Sequence, residues 1–291
     1  MKRIPLVLCA CLVAAAAWPA YGGKDHVVVL DSLMVRGTIS VSPAGHVTGY
    51  AMYKPEKLPA SVVKLLNRAI PDWRFHPVSY DGKPAAAKAD MSIRLLARPL
   101  DNKRYSLSIA STSFTLTNNH SSAELHYAKD HRKPPKYPVE ARRNHVSGTV
   151  YLLVRINRQG NVANVATREV DLRVWGTPAQ LRQWRGLLSR ASLEAARHWH
   201  FRIPADVANS NKSYWYGSVP VDFQLVPSNS LAYLRKMQLE SYGKWQAFIP
   251  GPMHYIPWAD KHEMANVNTA QPSGSLHILG QGLRRIDPHH G

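Results

Sequence analysis

The chain has 291 residues, of which 45% are apolar and 19% charged, a composition that excludes both a disordered chain and a polytopic membrane protein. Its formal net charge is +18, and the excess is spread rather than clustered: residues 23–116 carry 13 basic and 7 acidic groups, and residues 134–227 carry 13 and 6. A spread positive field suits anionic surfaces or acidic partners. No ribonucleoprotein aromatic pair or Cys/His finger accompanies it, so no nucleic-acid partner is expected.

The N-terminus reads MKRIPLVLCACLVAAAAWPAYGG. Lys2 and Arg3 form a basic region, residues 4–17 an apolar one, and Ala20-Tyr21-Gly22 a small-x-small site. This pattern predicts a secretory signal peptide over 1–22, cut before Gly23. The alternative is an uncleaved inner-membrane anchor, for which the 17 residues from Ile4 to Ala20 are at the short limit of a span. Both cysteines, Cys9 and Cys11, lie in this segment, so the cleaved chain would have no disulfide, thiolate nucleophile or Cys–zinc site.

Residues 37–53, GTISVSPAGHVTGYAMY, alternate, turn at Gly45 and resume, which predicts a hairpin. Leu58, Val62, Leu65, Ala69 and Trp73 then form one helical stripe, with Pro59 near its start and Pro71 near its end. In DWRFHP the period switches to two, with Trp73 and Phe75 on one side and Arg74 and His76 on the other. Met91, Ile93, Leu95 and Ala97 alternate toward Pro99, a strand terminator. After 117–133, read as a linker, the order repeats. A hairpin opens at Gly148 and turns at Gly160. A stripe runs through Trp184, Leu188, Ala191, Ala195 and Trp199, with Thr177 as N-cap and Pro178 beside it. HWHFRIP switches period at Trp199 and Phe201, and Val219, Val221, Phe223 and Leu225 alternate toward Pro227. The expected architecture is α+β, with two tandem β-β-α-β modules over 23–116 and 134–227, each an antiparallel sheet with one helix on a face.

The second unit resembles the C-terminal domain of TonB-family energy transducers. The resemblance rests on Tyr137-Pro138, Ala141, Gly148, the alternating strand, the Gly160 turn, the Ala-x-x-x-Trp-x-Phe ending at Phe201, and the closing VPVDFQLV. The first unit, over 37–98, looks like a divergent copy without the Tyr-Pro pair. The resemblance implies a periplasmic protein-binding module. Its partner would be an outer-membrane TonB-dependent transporter or another envelope protein, whose extended segment adds to a sheet edge. The implied contacts are Val219, Val221 and Phe223 on the last strand, and Tyr137, Pro138, Arg142 and Arg143 in the Tyr-Pro region. Trp73, Phe75, Gly148, Gly160, Trp199 and Phe201 form the structural signature. The chain departs from the energy-coupling members, which keep a membrane helix and a long Pro-rich rod. A periplasmic scaffold that self-associates, possible as a homodimer, is the alternative reading.

No chemistry stands out beside this. The 14 histidines are scattered, and only His198 and His200 share a strand face. No G-x-S-x-G, phosphate loop or H-E-x-x-H occurs. No catalytic residue, metal, cofactor or small-molecule substrate is expected. The tail, 228–291, predicts a helix along Leu231, Leu234 and Tyr242. An irregular Pro/Gly-rich stretch follows, with a docked strand near 276–279 that would cover a sheet edge.

Overall fold

Alternating apolar residues build two antiparallel sheets, each with a helix on one face. The computed structural model describes residues 27–80, 82–100, 104–117, 126–127, 133–203, 212–226, 231–259, 276–278 and 283–286. The segment read as a signal peptide lies outside the described residues. In the first sheet, β1 (Leu30–Val41) turns at Gly45 into β2 (Val47–Met52). Helix α1 (Ala60–Ala69) starts after Pro59 and closes in a 3-10 turn, Ile70–Asp72. A small hairpin of β3 (Val78–Tyr80) and β4 (Lys83–Ala85) leads to β5 (Ala87–Pro99) and β6 (Tyr105–Leu116). Strand β5 pairs with β1 on one side and with β6 on the other, from Ala89↔Leu116 to Pro99↔Tyr105. The β3–β4 hairpin and β6 are additions to the expected β-β-α-β order.

The linker stretch is not only a linker: its β7 (His126–Tyr127) pairs with β10 (Phe201–Arg202). The backbone carbonyl of Lys133 accepts from Trp199 Nε1 at 3.0 Å. The second unit comprises α2 (Val139–Arg143), β8 (Gly148–Asn157), β9 (Val162–Leu172), α3 (Pro178–Ala196), β10 and β11 (Tyr214–Phe223). Thr177 caps α3 with a full capping box, its Oγ1 accepting from the Gln180 N–H at 3.3 Å. The tail follows with α4 (Leu231–Ser241), β12 (Gln246–Phe248) and β13 (His277–Ile278). The second sheet runs β13-β11-β8-β9.

The two helices bury matching lines. With Trp199 laid on Trp73, the buried Leu58, Val62, Leu66 and Ile70 fall on Trp184, Leu188, Ser192 and Ala196, which are also buried. The expected stripes ran through Leu65 and Ala69, and through Ala191 and Ala195. Those four are half-buried. A 3.6-residue period leaves two adjacent lines facing a sheet, and the more central one packs fully.

Where helix passes to strand, each unit has the same clamp. Gly45 and Gly160 take positive φ, 81° and 83°. The Phe75 N–H donates to Gly45 O at 2.9 Å, and the Phe201 N–H to Gly160 O at 2.8 Å. A Cβ on Gly45 would lie 1.9 Å from Phe75 O, and one on Gly160 2.0 Å from Phe201 O. Glycine is therefore required both for the backbone conformation and for the close approach. Phe75 and Phe201 are buried in separate cores, with Phe75 edge-on to Phe114 at 5.0 Å.

Residues alternate across each sheet, so Arg94, Tyr151, Glu169 and Asp171 face away from the helices. There the two units meet. Arg94 donates to Asp171 Oδ2 at 2.8 Å with both side chains buried. Its guanidinium lies 5.3 Å from the Tyr151 ring and 4.9 Å from the Phe248 ring. The tail joins both sheets at the same place. Phe248 pairs with Leu30 of β1, and Ile249 exchanges backbone hydrogen bonds of 2.7 and 3.0 Å with Leu172 of β9. Arg185 reaches the carbonyls of Val170 and Pro250 at 3.1 and 3.0 Å.

Burial pushes the Glu169 carboxyl up to about 8, helped by the neighbouring Asp171 charge and a hydrogen bond with it. Arg94 and Arg168 pull it down. The folded chain thus holds a proton between Glu169's ordinary value of 4.5 and about 8 that the unfolded chain has released. Stability from this group falls as pH rises across that window. Thermal melts at pH 5.5 and 8.5 should show a lower Tm at the higher pH, and Glu169→Gln should shrink the difference. Gly160→Ala should cost about 2 kcal/mol or more in a denaturant titration, because strain and collision add. The same change at Gly49, where a Cβ meets nothing within 4 Å, is the control.

Candidate functional site

The candidate site has two parts, the outer edge of β11 and the Tyr-Pro region. The structure brings them together at one point. The Tyr137 hydroxyl donates to the Val146 carbonyl, and its ring stands edge-on to Phe223 with centroids 5.5 Å apart. Burial pushes the Tyr137 phenol up, while the Arg173 charge opposes it. Pro138, extended at φ −60° and ψ 135°, starts α2. Ala141 is buried, and Glu140 accepts from the Gln183 side chain on α3. His145 takes a positive φ of 51° and turns Val146 into the core. This small folded corner leaves Arg142 and Arg143 exposed. Neither forms an ion pair among the described residues.

Beside the corner lies a half-buried polar group linking three strands. Arg173 pairs with Asp222, and Thr149 Oγ1 donates to Asp222 Oδ1 at 2.9 Å. Arg173 also donates to Thr149 Oγ1 at 2.9 Å and to the Phe223 carbonyl at 3.3 Å. These bonds hold the end of β11 against β8 and β9.

Strand β11 pairs with β8 along its whole length, from Tyr214↔Asn157 to Phe223↔Gly148. Pro220 stands opposite Tyr151 in this ladder. A proline has no N–H to give, so it sits where the N–H would point away from β8, toward the outer edge. The side chains of Val219, Val221 and Phe223 are buried in the second core, not on the edge. Contacts at these three positions would therefore be made by their backbone groups, because the side chains are taken up by the core. Among the described residues, the outer edge pairs at Gly217↔Ile278 and Ser218↔His277. Leu276, just before β13, packs half-buried against the same core.

Gly217, Ser218 and Pro220 were absent from the expected contacts, although Pro220 in an otherwise regular alternation is an edge signal. Gly148 and Gly160 stand as expected at a strand opening and a turn, and a Cβ on Gly148 would lie 2.4 Å from Asp171 O. His198 is exposed, and His200 Nδ1 contacts Asn161 Oδ1 at 2.9 Å. Among the described residues, no three His, Cys, Asp or Glu side chains converge as a metal site. Nor is any described helix long and apolar enough to cross a membrane.

Comparison with known proteins points the same way as the Tyr-Pro corner. Residues 133–171 match the family described as the Gram-negative bacterial TonB protein C-terminal. Proteins named Protein TonB from two strains of Xanthomonas campestris pv. campestris are each 34% identical over 103 residues, covering 35% of this chain and 40% of the relative. The chain thus spans well under half the length of these relatives. No solved structure matches the chain. The Tyr-Pro corner with α2, β8 and β9 therefore marks a TonB-family C-terminal domain in the second unit of this chain.

Proposed function

We propose that the chain is a periplasmic, non-enzymatic binding protein associated with TonB-dependent transport. Its second unit takes up an extended segment of an outer-membrane transporter by strand addition to the outer edge of β11. The observation that carries this reading is the edge itself. Strand β11 is pinned to β8 along its length, while its other side pairs with only two described residues. Backbone N–H and C=O groups on such an edge recruit a peptide with little demand on its side chains. The exposed Arg142 and Arg143 supply positive charge near the end of the strand and favour an acidic or carbonyl-rich neighbour.

The first unit reads as a divergent tandem copy of the second. The matched helix lines and the paired Gly–Phe clamps support that reading. It is not a second binding unit, because the strand in the position of β11 is β5, and β6 covers β5 for eleven register pairs. One observation favours the alternative of self-association. Strand β6 is a twelve-residue outer strand without a charged side chain, in a chain of net charge +18.

Titrating the full chain with peptides from the periplasmic N-termini of such transporters, read by amide chemical shifts, should move the amides of Gly217 to Val219 and of Val221 to Phe223. Replacing a central peptide residue by Pro should weaken binding about tenfold or more, whereas Ala at an outward position should change little. Silence across the panel, together with a concentration-dependent dimer, would favour the alternative.

A further inference from the structure

We infer that the C-terminal tail is a tethered competitor for the β11 edge, so that a partner segment binds by displacing β13. This inference rests on the strand-addition reading and adds its regulation. The tail visits both units. At one end, His277 and Ile278 pair with Ser218 and Gly217 while Leu276 packs against the second core. At the other end, Leu283 is buried in the first core. The His76 N–H donates to Arg284 O at 2.9 Å, the Ile286 N–H to Arg74 O at 2.8 Å, and the Arg285 guanidinium lies 5.0 Å from the Trp73 ring. Four residues separate Ile278 from Leu283.

The two ends differ in strength. Residues 283–286 hold by a buried leucine, two backbone hydrogen bonds and a cation–ring contact. Among the described residues, strand β13 is held by two register pairs and one half-buried leucine. The weak end therefore opens while the strong end stays, and the four-residue tether, at most about 18 Å long, returns it. A tether this short keeps β13 at an effective concentration in the millimolar range or above. A free peptide of similar chemistry then competes poorly until the tail is disabled. The occupant also indicates what the edge accepts: a short extended segment bearing an aliphatic residue where Leu276 sits.

The test uses the full chain and a variant carrying His277→Pro and Ile278→Pro, which removes the N–H groups of β13 and leaves the 283–286 anchor intact. An unchanged melting profile establishes that the variant folds. A labelled peptide of residues 274–280 is titrated to millimolar concentration, with the Gly217 and Ser218 amides as readout. The inference predicts that it binds the variant about tenfold or more tighter than the wild type. Equal binding to both proteins, or binding to neither, overturns it. Transporter-derived peptides are titrated in parallel. If they bind both proteins equally, the competitor role fails and the strand-addition reading stands. If they bind neither while the tail peptide binds the variant, the transporter reading fails and the tail's occupancy of the edge stands.

Discussion

The arrangement depends on one buried contact, the Arg94–Asp171 ion pair between the helix-free faces of the two sheets. A charge pair taken out of water is tolerated only when its hydrogen-bonding groups are occupied. Here Asp171 accepts from Arg94 on one oxygen and from the Gly251 N–H at 3.3 Å on the other. Arg94 is sandwiched by Tyr151 and Phe248. Three parts of the chain, β5, β9 and the tail, must be in place together to satisfy the pair.

That constraint places the tail. Once residues 246–251 lie between β1 and β9, the chain continues over the helix-free face of the second sheet. Leu153 is buried there with Ile256 and Ala259, and Tyr216 stacks with Trp258. The tail then reaches the β11 edge and returns to the first unit at Leu283. A segment rich in Pro and Gly thus acts as a strap. Its contacts explain why β8 is buried on both faces when a two-layer module would bury only one.

Periodicity made each unit's inner face legible. Trp73, Phe75, Trp199 and Phe201 were each read as lying on one side of a new strand, and all four are buried, as are Val150, Leu152, Val154 and Ile156 of the alternating strand after Gly148. The Thr177 cap and both turn glycines were also legible, because caps and positive φ are local demands. What local pattern cannot carry is pairing between distant segments. Nothing around Arg94 announces Asp171, 77 residues on, and a lone Arg in a strand reads as a solvated side chain. The core-facing line of Val219, Val221 and Phe223 was visible, because alternation says which side chains point in, whereas an edge is made of backbone and leaves little mark on the pattern. Pro220 was the informative residue there.

The central claim is that an incoming extended segment lies along the outer edge of β11. Solving the full chain bound to a transporter-derived peptide, by cross-strand amide contacts in solution, tests it most directly. The account predicts that the peptide backbone contacts Gly217 through Phe223 and that the β13 contacts to Gly217 and Ser218 disappear. A peptide seated on α2 and α3, or along β6, with β13 still paired, would contradict it.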